Sequence, residues 1–169
     1  MTIKVASGTG TGPTKLSAFD AALQSAGVAN FNLIRLSSIV PPGSKIIDSK
    51  GPINDQLGEW GDRLYVVMAE MRVDTPNMEA WAGIGWVQDG KTGQGLFVEH
   101  EGANEETVRR DIKASLDALM KTRGIDYGEI HMKVRGITCL HEPVCALVIA
   151  AFHNSTWRSS KPSLISKLK

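Results

Sequence analysis

Four kinds of side chain in this 169-residue chain could do chemistry: a serine pair, a few carboxylates, four histidines and two cysteines. Ser37 and Ser38 stand together after an apolar run from Phe31 to Leu36 and just before Ile39-Val40-Pro41-Pro42-Gly43. Pro41 lacks a backbone donor and biases Val40 away from helix, so the backbone here is more restricted than in an ordinary loop. On these residues alone, the segment reads as a strand ending in a turn. The Gly-x-Ser-x-Gly elbow of many hydrolases is absent, and a serine–histidine–acid triad would need sequence-distant partners.

The carboxylates have ordinary readings as well as functional ones. Asp20 follows Phe19 and lies four residues beyond Leu16, at the edge of an apolar helical stripe. It is either a solvated helix carboxylate or an anionic group at the rim of a site for a cation. Glu99 and Glu101 end a strand-like run, where glutamates commonly face solvent. Asn32 is awkward inside its strand, being disfavoured there and costly to bury without partners. Its amide is expected to turn toward the backbone near Ser37.

His100, His131, His141 and His153 show no metal-binding spacing. Cys139, His141 and Cys145 offer three ligands with no fourth to close a zinc site, so no metal is expected. The two cysteines lie near an apolar stretch and read as buried thiols of a reducing compartment, ahead of a disulfide. Gly8-Thr9-Gly10-Thr11-Gly12-Pro13 is dense enough in glycine to cradle a phosphate. It matches neither G-x-G-x-x-G nor a P-loop, and reads as a flexible connection.

Periodicity supplies the elements that must hold these groups. Ile3 to Ala6 is a short strand, and Thr14 caps a helix from about Lys15 to Ala26 that buries Leu16, Phe19 and Leu23 and stops at Gly27. After the strand into the serine pair, the stretch from Gly43 to Gly61 reads as a long loop. Arg63–Val73 and Glu79–Val87 are strands, and Asp89-Gly90 turns the chain into a further strand from Gly95 to His100. Asn104 caps a long helix, about Glu105 to Thr122, with Val108, Ile112, Leu116 and Leu119 on its buried face. Tyr127–Ile137 alternates as a strand, and Val144–Phe152 is an apolar strand buried on both faces. Two substantial helices among meander-like strands predict an α+β fold.

Composition bounds the remainder. Hydrophobic residues make up 42% of the chain, enough for one core without disulfides or metals. A net charge of +1 offers no field for nucleic acid or an anionic membrane, and no apolar run reaches membrane-spanning length. The start Met1-Thr-Ile-Lys lacks the pattern of a signal peptide, which points to the cytoplasm. A single domain over 1–153 is expected, followed by a loosely ordered basic tail, 154–169, with a lone Trp157.

Three blocks carry a family resemblance: Leu16-Ser-Ala-Phe-Asp20-Ala-Ala-Leu23, then Gly27-Val-Ala-Asn-Phe-Asn32-Leu-Ile-Arg35-Leu-Ser37-Ser38-Ile-Val-Pro41-Pro42, then Gly95-Leu-Phe-Val-Glu99-His-Glu101-Gly102. In that order and spacing they resemble the pyruvoyl-dependent arginine decarboxylases, with weaker similarity running on through the long helix and the last apolar strand. The resemblance implies a layered α/β sandwich of mostly antiparallel sheets that assembles as a homotrimer or a dimer of trimers, with sites between neighbours. It implies cleavage between Ser37 and Ser38. The Ser38 hydroxyl attacks the Ser37 carbonyl, the resulting ester eliminates to leave dehydroalanine, and hydrolysis yields a pyruvoyl group and ammonia. That group stands in for pyridoxal phosphate, with no metal. By the same resemblance Asn32 assists processing or positions the new carbonyl, and Glu99 is the proton donor, facing another subunit's Ser38. Asp20 takes the guanidinium of arginine, and Leu16, Gly27 and Phe31 line the substrate pocket. The residues between Pro42 and Trp81 match the family poorly, and the basic tail is an addition. The alternatives are the same chemistry on another amino acid, a non-processing relative with a binding or structural role, and a nucleotide-binding module at Gly8–Gly12.

Overall fold

The computed structural model describes residues 1–53 and 58–157. The chain is built in four layers, helix, sheet, sheet, helix, with an apolar interior at each of the three boundaries. The first sheet has five strands in the order β2 (Asn32–Arg35), β5 (Arg63–Val73), β9 (Val144–Ser155), β1 (Thr2–Thr11), β4 (Lys45–Asp48). The second has four, in the order β3 (Ile39–Val40), β7 (Gly95–Gly102), β6 (Glu79–Gln88), β8 (His131–Thr138). Pairing is antiparallel except for β1 with β4 and β2 with β5. The α+β class and the layered sandwich are those expected.

β9 explains the layering. Val144, Ala146, Val148 and Ala150 fill the space between the sheets, while Cys145, Leu147 and Ile149 face α1 (Lys15–Ala26). A strand packed on both faces must be apolar throughout, and its residues from 144 to 152 are all buried.

The glycine-rich segment is not a flexible connection. β1 runs straight through it to Thr11, with Gly8 opposite Leu147 and Gly10 opposite Cys145 on β9. Helix α1 lies so close above that a Cβ on Gly8 would sit 2.2 Å from the Ala22 carbonyl oxygen, and one on Gly10 would sit 2.3 Å from that of Ala18. Close approach accounts for the glycines, so no phosphate cradle is needed to explain them. It also rotates the helix. Ala18, Ala22, Leu23 and Ala26 are its buried residues, whereas Leu16, expected on the apolar face, is 68% exposed. The Thr14–Ser17 capping box and the left-handed Gly27 end the helix as the sequence indicates.

Helix α2 (Glu105–Arg123) is capped by Asn104 and buries Val108, Ile112 and Leu116 against the outer face of the second sheet. Two other expectations are corrected. The stretch from 43 to 61 contains β4, whose Lys-Ile-Ile-Asp is too short to register against its turn-rich flanks; 54–57 of that stretch lie outside the described residues. Tyr127 is not in a strand. A turn at Gly128, with φ 96 and its N–H bonded to Asp126 Oδ1, precedes β8, and Tyr127 is buried beneath α2.

The last strand continues to Ser155, where Arg63 pairs with it. Trp157 is not lone: its Nε1 donates to the Gly61 carbonyl at 2.8 Å, and the Arg63 guanidinium lies 4.4 Å from its ring centroid. Residues 158–169, most of the expected tail, lie outside the described residues. No described helix is long and apolar enough to cross a membrane.

Candidate active site

Ser37 and Ser38 are the step by which the chain leaves the first sheet for the second. β2 is an edge strand of one and β3 an edge strand of the other. Both sides of the step are pinned: Leu36 N donates to Val66 O of β5 at 2.9 Å, and Phe97 N of β7 donates to Ser38 O at 2.8 Å. Between these anchors Ser38 adopts φ 69, one of two non-glycine residues with positive φ among those described. An L-residue held there is strained by about 1–2 kcal/mol.

The neighbouring strand supplies the partner. Ser38 Oγ donates to Glu99 Oε1 of β7 at 2.5 Å, with both residues half-buried. Because β3 and β7 pair in one sheet, one chain brings the two residues together by itself. Both serines and Glu99 line a cavity of about 480 Å³ that extends to α2, where Ser115 and Arg123 contribute. His100 Nε2 and Ser115 Oγ are 2.8 Å apart on that side.

Asp20 belongs to a second cavity, of about 700 Å³, together with Gly27, Phe31, Gln24, Glu59 and Trp60. Gln24 Nε2, one helical turn on, donates to Asp20 Oδ2 at 2.7 Å and orients the carboxylate. Leu16 is not among the residues lining either cavity. Asn32 lies apart as well, and its amide does not turn toward Ser37. Nδ2 donates to the Gly61 carbonyl at 2.6 Å and its backbone N–H to Asp62 O, tying the start of β2 to the loop before β5.

The predicted residues thus fall into two groups, the Ser37–Ser38–Glu99 cluster and the Asp20–Gly27–Phe31 cluster, with no lining residue in common. The first borders α2 and the second borders α1, on opposite sides of the double sheet. Sequence reasoning missed Gln24, whose i+4 spacing from Asp20 was a usable signal. It also missed Arg123 at the end of α2, and Glu59 and Trp60, which lie in the stretch read as a long loop.

Among the described residues no group of three or more histidine, cysteine, aspartate or glutamate side chains could hold a metal. Cys139 and Cys145 are free and buried. Burial, reinforced by the Glu70 carboxylate and offset by Arg72, pushes the Cys145 thiol up to about 12.

A strained serine whose hydroxyl is held by a carboxylate is a group placed to react with its own backbone. A profile of the pyruvoyl-dependent arginine decarboxylases matches residues 2–156. The chain belongs to that family. A Halobacterium salinarum protein named pyruvoyl-dependent arginine decarboxylase is 36% identical over 160 residues, covering 90% of this chain and 94% of its own. One of the same name from Methanopyrus kandleri is 34% identical over 140 residues, covering 81% and 83%. Among solved structures, a pyruvoyl-dependent histidine decarboxylase aligns over 81% of this chain and 61% of its own, at 10% identity and a TM-score of 0.44, too distant to bear on activity. Membership implies a pyruvoyl cofactor, and Ser38 is the residue whose surroundings fit its formation.

Proposed function

We propose that this chain cleaves itself between Ser37 and Ser38 and uses the new pyruvoyl group to convert L-arginine to agmatine and carbon dioxide. The observation that carries the reading is Ser38 itself, strained at φ 69 with its hydroxyl on Glu99. Attack by Ser38 Oγ on the Ser37 carbonyl exchanges the amide for an ester. Elimination expels the Ser37 carboxylate and leaves dehydroalanine at 38. One water then replaces the nitrogen as ammonia, giving the ketone. Release of the left-handed backbone favours the first step, and Asn32 supports it by fixing the start of β2 through Gly61.

A pyruvoyl ketone at position 38 would supply the electron sink for loss of carbon dioxide from an amino-acid substrate. Glu99, already against position 38, returns a proton to the substrate carbon. Asp20, oriented by Gln24, holds the guanidinium, and Gly27 and Phe31 shape that pocket. Leu16, exposed on the same helix, stands outside both cavities of the single chain and is left to a contact with a neighbouring subunit. Since the Asp20 and Ser38 clusters lie on opposite layers of one chain, a complete site draws on two subunits, in a homotrimer or a dimer of trimers. The product, a polyamine precursor, fits a cytoplasmic enzyme of polyamine biosynthesis.

The test is an intact-mass spectrum of the denatured protein, followed by agmatine formation from arginine beside lysine, ornithine and histidine. Two chains split after Ser37, with a ketone in place of the second chain's terminal amine, and turnover of arginine are expected. An unbroken chain would overturn the proposal, and turnover of a different amino acid would keep the chemistry and replace the substrate.

A further inference from the structure

We infer that Glu59 and Trp60 complete the guanidinium site, Glu59 as a second carboxylate and Trp60 as a face for the planar cation. The inference rests on the reading of Asp20 as the guanidinium partner. Both residues line the cavity of Asp20 and Phe31. Asp20 cannot satisfy a guanidinium alone, because that group carries five donors and one Asp20 oxygen already accepts from Gln24. A second carboxylate meets another edge of the cation. An indole meets its flat face, which a lysine-type ammonium does not possess.

The loop that carries them is built in place. Glu59 N donates to Asp62 Oδ2 at 2.9 Å, and Asp62 is 5% exposed. Gly61 N donates to Asn30 O at 2.7 Å, and the Gly61 carbonyl accepts from Asn32 and Trp157. Gly58 packs so closely against β9 that a Cβ there would lie 2.3 Å from Asn154 Nδ2. On this fixed turn Trp60 is 84% exposed, its ring left free where the cavity opens.

The experiment titrates agmatine by calorimetry into the full-length Ser38→Ala chain, which carries no pyruvoyl group, and into the same chain with Glu59→Gln, Trp60→Ala or Trp60→Phe. Affinity is expected to fall roughly tenfold for Glu59→Gln and for Trp60→Ala, and to stay within roughly threefold for Trp60→Phe. 1,5-Diaminopentane should bind weakly to the Ser38→Ala chain and be insensitive to Trp60. Unchanged agmatine affinity in Glu59→Gln and Trp60→Ala, alongside a loss in Asp20→Asn, would overturn this inference and leave the proposed function standing. Trp60→Ala that changes oligomeric state with unchanged affinity would assign the ring to subunit packing, also against it. Should the wild-type chain prove uncleaved while agmatine binding still depends on Glu59 and Trp60, the pocket stands and the reaction falls.

Discussion

Ser38 combines backbone strain with a held hydroxyl, and the two can be separated by substitution. Ser38→Ala removes the nucleophile but keeps a side chain at φ 69, so the chain stays whole on an intact-mass spectrum. Ser38→Gly is equally unable to cleave yet relieves the strain, since glycine adopts that φ freely. It should therefore unfold at higher urea than the alanine variant, by roughly 1 kcal/mol. Equal stability would show that Ser38 is not strained. Glu99→Gln retains an oxygen to accept the Ser38 hydroxyl, so cleavage continues, while arginine turnover falls roughly a hundredfold or more for want of a proton donor. Turnover at the parent rate would remove Glu99 from the reaction. These two residues were legible in the sequence only as part of matched blocks. Alone, a serine before a diproline and a strand-end glutamate have commonplace explanations, and the contact joining them spans 61 positions. The Asn32 amide was misplaced because its acceptor, the Gly61 carbonyl, lies in a loop that periodicity leaves undefined.

At the level of elements, periodicity located nearly every strand and both helices, and failed where glycine served packing instead of turning. Gly8 and Gly10 look like a loop to any rule that treats glycine as a breaker, yet they are a strand floor on which α1 rests. Gly10→Val should lift α1 and cost about 2–4 kcal/mol in urea unfolding, whereas valine in a true loop would be near neutral. Gly83 and Gly85 form a like floor beneath α2, but inside a strand that the sequence did locate; a Cβ on Gly85 would sit 2.2 Å from Ile112 Cγ2. β9, buried on both faces, carries a pH consequence through Cys145, whose thiol is raised from 9.0 to about 12. Below pH 9 both folded and unfolded chains keep the proton, and stability is unaffected. From there to about pH 12 the unfolded chain loses it first, so stability falls as pH rises, by up to about 1.4 kcal/mol per unit. Cys145→Ala should lose less stability than the parent between about pH 8 and about pH 10.5 in urea titrations. An identical loss in both would show that the thiol does not contribute.

For the whole molecule, the decisive feature is that one chain holds the two candidate cavities on opposite layers. The Ser38–Glu99 cavity borders α2, the Asp20 cavity borders α1, and a double sheet separates them. No sequence pattern could reveal this, because residues close in the chain, Asp20 and Ser38 among them, are sent to opposite layers by the crossing from β2 to β3. If one arginine must reach both groups, the second comes from a neighbouring subunit, and subunit mixing tests it. Ser38→Ala chains lack the pyruvoyl source, and Asp20→Asn chains bind arginine poorly, so each homo-oligomer should be nearly inactive at low arginine. Co-expressed in equal amounts and assembled at random, a site that pairs Ser38 of one chain with Asp20 of the next is intact about a quarter of the time. Activity at low arginine should then recover to about a quarter of the parent's, in proportion to the mixed species seen by native mass spectrometry. If both groups belonged to one chain, every site would carry one of the two defects however the chains mixed. Mixed oligomers with no recovered activity would therefore place the whole site within a single subunit and require the Asp20 cavity to be reassigned.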